Sequence, residues 1–386
     1  MASLCRIPRR LLSLARFSTL SDPFTTFLAA KSAVESEPDP EKLAHIFHHQ
    51  SSNFARFRRH RPLYQLSCRR LSRSGRLDLV ERLIDHQKTL PHPRTEGFWI
   101  RLIILYSTSG MVDHALRTFH QMVQDRVQLT EKSLCAILTV YLDNDLIDQL
   151  HTVFNTMPSE IGVSPGTKSY SLVLKAFCQQ KDMESARKLL HKMENPDIGS
   201  YNVLLEGYSK NGDGVEFDEI LKEIKNKGLE HDCTTYNHRI LRFCKNKESV
   251  RAKKLLDEMV AKGVKPNSAS YNMIIHGFCK VGDFESAQKV LERMLADGYV
   301  APCSISYITL FQHMVKEGEF DSALNMCKEI IRRKWVPPFE AMDGLVKGLV
   351  EISKVEAAKE VVEKMKKRLK GNAADSWKTH EAALPL

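Results

Sequence analysis

The sequence predicts an all-α protein, a right-handed α-solenoid of about nine helix-turn-helix repeats of ~35 residues. Three observations predict it. Near-copies begin at Ser200-Tyr201-Asn202, Thr235-Tyr236-Asn237 and Ser270-Tyr271-Asn272, each 35 residues after the last. A second helix recurs as Ala-x-x-φ-φ-x-x-Met, with φ apolar: Ala186 to Met193, Ala252 to Met259, Ala287 to Met294 and Ala358 to Met365. Spacings of three and four put those side chains on one stripe, so each helix has one face to bury. Between the paired helices a glycine holds one register, at Gly75, Gly110, Gly212, Gly282 and Gly318, where a left-handed residue ends the first helix.

Residues 1–20 hold Arg6, Arg9, Arg10 and Arg16 among Leu and Ser, with no acid. That composition reads as an organelle transit peptide able to form a basic amphipathic helix, and Arg16-Phe17-Ser18 resembles a mitochondrial processing site. The arginine content favours the mitochondrial matrix over the chloroplast. Residues 21–60 precede the register and are expected to cap the stack as an irregular helix pair over 26–50, with Asp39 as N-cap and Pro40 in the first turn. The repeats then occupy 61–373 as units 61–95, 96–130, 131–166, 167–197, 198–232, 233–267, 268–303, 304–338 and 339–373. The unit at 167–197 is short by four, placed at the turn Glu194-Asn195-Pro196. Residues 374–386 read as a tail. No apolar stretch reaches the ~18–20 residues that cross a bilayer, so no membrane partner is expected.

Units that read Tyr-Asn-x-x-Ile-x-x-Phe-Cys-Lys, as Tyr271 to Lys280 do, and close in Gly-Val-Lys-Pro-Asn, as Gly263 to Asn267 do, resemble pentatricopeptide repeats of the P class. The resemblance covers roughly 61–373 and is most specific over 167–303. Tetratricopeptide repeats, the peptide-binding alternative, have a period of about 34 and a Trp-x-x-Leu-Gly-x-x-Tyr pattern, which no unit shows. The segments Lys334-Trp335-Val336-Pro337, Ser353-Lys354-Val355-Glu356 and Glu381-Ala382-Ala383-Leu384-Pro385 further resemble short plant members found with the mitochondrial ribosome.

That family resemblance implies one nucleotide per repeat, read by the fifth residue of a unit together with its last. The pairs are Gln65 with Thr95, Ile100 with Thr130, Cys135 with Gly166, Ser171 with Asp197, Asn202 with Asp232, Asn237 with Asn267, Asn272 with Cys303 and Ile308 with Pro338. Asp343 has no clear partner. Isoleucine cannot distinguish a donor from an acceptor, so only the central four units look legible, as G-U-pyrimidine-pyrimidine from 5′ to 3′. The second residue, usually Val or Ile in the family, is here Lys168, Gly199, Thr234 and Ala269, with Ile305 alone as expected. The base sandwich is therefore weakened.

Phosphates have separate candidates. Lys210, Lys245, Lys280 and Lys316 hold the thirteenth register in four consecutive units, a positive stripe for a single-stranded backbone or a row of solvated helix ends. Arg73 shares that register, whereas Asp143 and Glu351 occupy it elsewhere. Near the N-terminus, Arg56, Arg58, Arg59, Arg61, Arg69, Arg70, Arg73 and Arg76 fall without an intervening acid, and helical spacing groups Arg69, Arg73 and Arg76 for contact with structured RNA.

Chemistry is not expected. None of the nine cysteines forms a Cys-x-x-Cys pair, and Cys178, Cys244 and Cys279 share one buried-looking register. His45, His48 and His49 lack a fourth metal ligand, and no His-x-Glu with Pro-Cys-x-x-Cys follows the repeats. No cofactor, metal or small-molecule substrate is implied. The expected partner is single-stranded or ribosomal RNA, with mitochondrial ribosomal proteins beside it. Three readings follow: a mitochondrial ribosome-associated RNA-binding component, a factor for one organellar transcript, and a protein-only adaptor.

Overall fold

Apolar residues recurring at three and four positions coil each half-repeat into a helix with one buried stripe, and two such helices bury their stripes against each other. The computed structural model describes residues 27–53, 60–90, 94–369 and 372–382. The leader expected at 1–20, and Arg56, Arg58 and Arg59, lie outside them. Among the described residues there are twenty-one helices and no strand. First helices of the repeats run Arg61–Arg73, Glu96–Ser107, Glu131–Asp143, Thr167–Gln179, Ile198–Asn211, Cys233–Lys245, Ser268–Lys280, Ser304–Lys316 and Phe339–Glu351. Their second helices run Leu77–Thr89, Val112–Gln124, Ile147–Ile161, Met183–Lys192, Gly214–Asn226, Ser249–Ala261, Phe284–Asp297, Phe320–Arg332 and Val355–Arg368.

The chain divides into two compact units, residues 1–173 and 174–386. In the first, Phe27–Ser36 and Pro40–Asn53 form a helix pair ahead of the repeats. Asp39 starts the second of these, its Oδ1 accepting from Glu41 N at 2.9 Å and Lys42 N at 3.3 Å. Ala30, Val34, Leu43 and Phe47 are buried, and Phe47 meets Tyr64 edge-on with centroids 4.6 Å apart. In the second unit, the stripes Ala252 to Met259, Ala287 to Met294 and Ala358 to Met365 all lie in one core with Tyr236, Tyr271 and Tyr307.

The turn between paired helices is left-handed in all nine repeats. Glycine fills the register at Gly75, Gly110, Gly212, Gly282 and Gly318, and Asp145, Lys181, Lys247 and Ser353 fill it elsewhere with φ near +60°. The remaining glycines of interest act by size. A Cβ on Gly207 would sit 2.8 Å from Cys178 Sγ, and one on Gly277 would sit 2.7 Å from Cys244 Sγ. Cys178 and Cys244 therefore pack against the glycine of the next first helix, and burial pushes the Cys178, Cys244 and Cys279 thiols up to about 12.

Two details differ from the sequence reading. The short repeat loses residues from its second helix as well as its turn: Met183–Lys192 has 10 residues where Ser249–Ala261 has 13. Met193 is already extended, and Pro196 beyond it disfavours a longer helix. The tail is also not outside the fold. Residues Asn372–Ala382 form a further helix whose Trp377 is buried against Phe339, with His380 Nδ1 2.9 Å from Asp343 Oδ2. It covers the apolar face that the last repeat would otherwise expose, the usual need of a terminal repeat.

Candidate nucleic-acid interface

The last residue of a unit is the N-cap of the next first helix, so the proposed reading pairs are built at helix starts. The first amide N–H groups of a helix lack intrahelical acceptors, and a short polar side chain there supplies one. Asp232 Oδ1 accepts from Thr235 N at 2.8 Å, Thr235 Oγ1 at 2.9 Å and Asn202 Nδ2 at 3.0 Å. Thr235 Oγ1 also lies 2.8 Å from Asn202 Oδ1. Burial raises the Asp232 pKa, but these hydrogen bonds outweigh it and hold the carboxyl below its ordinary value.

The next unit repeats the triangle with an amide in place of the acid. Asn267 Oδ1 accepts from Ser270 N at 3.1 Å and Asn237 Nδ2 at 3.3 Å, and Ser270 Oγ donates to Asn237 Oδ1 at 2.6 Å. In the third, Ser306 Oγ donates to Asn272 Oδ1 at 2.7 Å, while Cys303 offers only a sulfur 3.9 Å from Asn272 Nδ2. Each asparagine thus has a fixed amide orientation and one N–H not used in the triangle. Asn202 is 5% exposed, whereas Asn237 and Asn272 are half-buried.

The fourth pair has its two members in different compact units. Ser171 lies in the first unit, where its Oγ donates to Thr167 O at 2.8 Å within its own helix. Asp197 lies in the second and caps Ile198–Asn211, accepting from Ser200 N at 2.9 Å. The second-register residues Lys168, Gly199, Thr234, Ala269 and Ile305 are all exposed.

Lys210, Lys245, Lys280 and Lys316 are exposed at the ends of four consecutive first helices. Lys210 Nζ is 2.7 Å from Glu206 Oε1, and Lys245 Nζ donates to Ser209 O at 2.9 Å. His276 and His313 stand beside this row with ring centroids 5.4 Å apart, each with its pKa lowered by burial first and by the neighbouring lysines next.

The N-terminal arginines separate. Arg69 and Arg73 are exposed on Arg61–Arg73. Arg76 falls beyond that helix, with Nη2 2.5 Å from Glu41 Oε1 and 2.7 Å from Asp78 Oδ2, so its charge is already answered. Arg70 turns inward, donating to Val34 O at 2.8 Å in Phe27–Ser36 and to Glu37 O just beyond that helix. The grouping expected from spacing therefore reduces to Arg69 and Arg73.

Sequence reasoning missed the third register. Ser133, Ser169, Ser200, Thr235, Ser270 and Ser306 are buried, and their recurrence one unit apart was the available signal. It also missed Glu96 and Glu131, which hold first-register places and reach the start of the following unit. Among the described residues, no helix is long and apolar enough to cross a membrane.

Comparison with known proteins agrees with this architecture. The PPR repeat family model matches residues 231–280, the PPR repeat model matches 269–299 and 305–334, and the pentacotripeptide-repeat region of PRORP matches 101–241. A mitochondrial pentatricopeptide repeat-containing protein of Arabidopsis thaliana is 41% identical over 360 residues, covering 92% of this chain and 88% of its own. Small ribosomal subunit protein mL103 (rPPR7) of the same plant is 29% identical over 389 aligned positions, covering 99% and 94%. Another mitochondrial pentatricopeptide repeat-containing protein of that plant is 34% identical over 184 residues, and the chain spans only 45% of its length. The crystal structure of PPR10 from maize aligns at 20% identity and TM-score 0.48, over 93% of this chain and 60% of PPR10.

Proposed function

The chain belongs to the pentatricopeptide repeat family, and on that premise we propose that it binds RNA without catalysing a reaction, as a component associated with the mitochondrial ribosome. One observation carries the RNA reading. Helix-start triangles with fixed amides at Asn202, Asn237 and Asn272 share their first helices with exposed lysines at Lys210, Lys245 and Lys280. An oriented amide discriminates donors from acceptors on a base edge, and a cationic row follows a single-stranded backbone. The ribosomal reading is supported by the near-full-length likeness to mL103 and by the poor second-register sandwich, which suits a short or shape-led contact better than an autonomous high-affinity site.

In this reading residues 1–20 direct import to the matrix and 61–373 are the binding array. Ser171, Asp197, Asn202, Asp232, Asn237, Asn267 and Asn272 read bases, and Lys210, Lys245, Lys280, Lys316, Arg69 and Arg73 meet phosphates. Arg76 is left out because two carboxylates hold it at 35% side-chain exposure, whereas Lys210, paired only with Glu206, is 71% exposed. The lysine row keeps a second reading in play, a factor for one single-stranded transcript. Sedimentation of the tagged protein from mitochondrial lysate tests both. Co-migration with a ribosomal subunit is the expected result; free migration rejects the ribosomal assignment, and partners retained after RNase treatment favour a protein-only adaptor.

A further inference from the structure

In three central units the third-register hydroxyl of the following unit donates to a fifth-register amide oxygen. Two earlier units lack that amide, because their fifth residues are Ile100 and Cys135. The first-register residue takes over. Glu131 Oε1 accepts from Ser169 N at 3.0 Å and Ser169 Oγ at 3.1 Å, the same two donors that Asp232 Oδ1 takes from Thr235. It accepts also from Gly166 N at 3.1 Å. A Cβ on Gly166 would lie 2.8 Å from the Glu131 carboxylate, so the glutamate fills the space of the last-register side chain. Glu96 Oε1 reaches the corresponding helix start one unit earlier, accepting from Thr130 N at 2.9 Å, Thr130 Oγ1 at 2.7 Å and Ser133 Oγ at 2.6 Å, while Thr130 Oγ1 itself caps Lys132 N at 3.2 Å.

We infer that Glu96 and Glu131 close units 96–130 and 131–166 to bases and so fix where reading begins along the chain. This rests on the RNA-reading role proposed above. The carboxylates satisfy the next helix start from the wrong side of the pair, leaving no amide beside them to present an N–H to a base. Ile100 offers no hydrogen bond and Cys135 only a weak thiol donor. The phosphate register is equally unsuited, since Thr108 and the exposed Asp143 stand where later units place lysine. A nucleotide entering these units would meet acceptors where it needs donors and an acid beside its phosphate. These glutamates are therefore specificity-determining residues: they hold the fold in register while withholding two units from the message.

The test uses the full chain and RNAs carrying 4-thiouridine, one of five nucleotides and one lengthened at its 5′ end. Crosslinks on the wild type, mapped by mass spectrometry, should fall within 167–338 and not within 96–166, and lengthening should leave affinity unchanged. Glu131→Ala with Cys135→Asn and Gly166→Asp rebuilds the unit on the pattern of Asn202 and Asp232. It should gain crosslinks in 131–166 and bind the longer RNA about fivefold tighter, with no change on the shorter. Wild-type crosslinks within 96–166 overturn the inference, as does a rebuilt variant of unchanged helix content that gains nothing. If the rebuilt variant does not fold, the wild-type map and the neutral Glu131→Gln variant, which keeps the accepting oxygen and should still exclude RNA, decide the matter. Failure of the wild type to bind either RNA refutes the RNA reading itself, and this inference with it.

Discussion

Replacing Thr235 by valine removes one hydroxyl and nearly nothing else, and the geometry fixes what that should cost. Thr235 Oγ1 lies 2.8 Å from Asn202 Oδ1 and 2.9 Å from Asp232 Oδ1, in a residue that is fully buried. The hydroxyl has one proton, shared between the amide and the carboxylate in a charge-assisted bond worth about 2 kcal/mol, and its loss leaves the nearly buried Asn202 oxygen without that donor for about 1 kcal/mol more. The added methyl recovers about 0.8 kcal/mol of burial. Asp232 keeps the Thr235 N–H and the Asn202 amide as donors, so its charge is not stranded. The net loss should be about 2 kcal/mol, localised at the start of Cys233–Lys245. Repeat arrays unfold by parts, so a single global midpoint is a poor reporter. Amide hydrogen exchange of the peptide spanning 233–245 should accelerate about thirtyfold, with distant repeats unchanged. Thr235→Ser, which retains the hydroxyl, should remain within a few-fold of the wild type. Exchange unchanged in the valine variant, or raised equally everywhere, would refute the assignment of this hydroxyl as the tie between two repeats.

The remaining predictions test packing, charge and phosphate contact. Gly277→Ala places a Cβ 2.7 Å from Cys244 Sγ and should cost about 1–3 kcal/mol in chemical denaturation, part of it recovered by Cys244→Ala; a neutral effect would mean the two first helices are not in contact there. Because Asp232 has a lowered folded pKa, its contribution is complete above the ordinary aspartate value of about 3.9 and is lost as pH falls through the depressed one. Asp232→Asn should flatten the fall in local stability of 233–245, read by hydrogen exchange corrected for the intrinsic rate, between about pH 5 and 2 while keeping the cap, as Asn267 keeps it one unit later. Changing Lys210, Lys245, Lys280 and Lys316 together to alanine should weaken RNA binding irrespective of sequence and reduce the salt slope by about 0.7 per lost single-strand contact. An unchanged slope returns them to solvated helix ends.

The period and the apolar stripes made the helix pairs readable, because both repeat within a single chain and need no partner to be recognised. The turn register was only half readable. Glycine marks it in five repeats, but Asp145, Lys181, Lys247 and Ser353 adopt the same left-handed backbone because the flanking helices, held by their neighbours, require it there. The tail helix was missed since its signal is one residue, Trp377, whose burial depends on Phe339 more than thirty positions earlier. The site divides in the same way. The fifth and last registers were legible through the family resemblance, whereas the bonds that orient them run between units, from Thr235 to Asn202 or from Ser133 to Glu96. Nothing inside one repeat announces a bond to the next. The arginine cluster shows the converse error: spacing grouped Arg76 with Arg69 and Arg73, but the helix ends at Arg73 and Arg76 turns to Glu41 and Asp78.

If, as proposed, the last residue of each unit reads a base as well as starting the following helix, the message such a protein can specify is restricted by what can begin a helix. Asp197, Asp232 and Asn267 each start that helix with one side-chain oxygen. A drift at this position toward an apolar residue would erase a letter and loosen the adjacent repeat in the same step, so vocabulary and foldability are inherited together. Where a letter has been given up, at Gly166, the chain has recruited Glu131 from elsewhere to keep the helix start intact. Recoding one of these arrays is thus a folding problem before it is a recognition problem, and the substitutions open to it are those that a helix already accepts at its first turn.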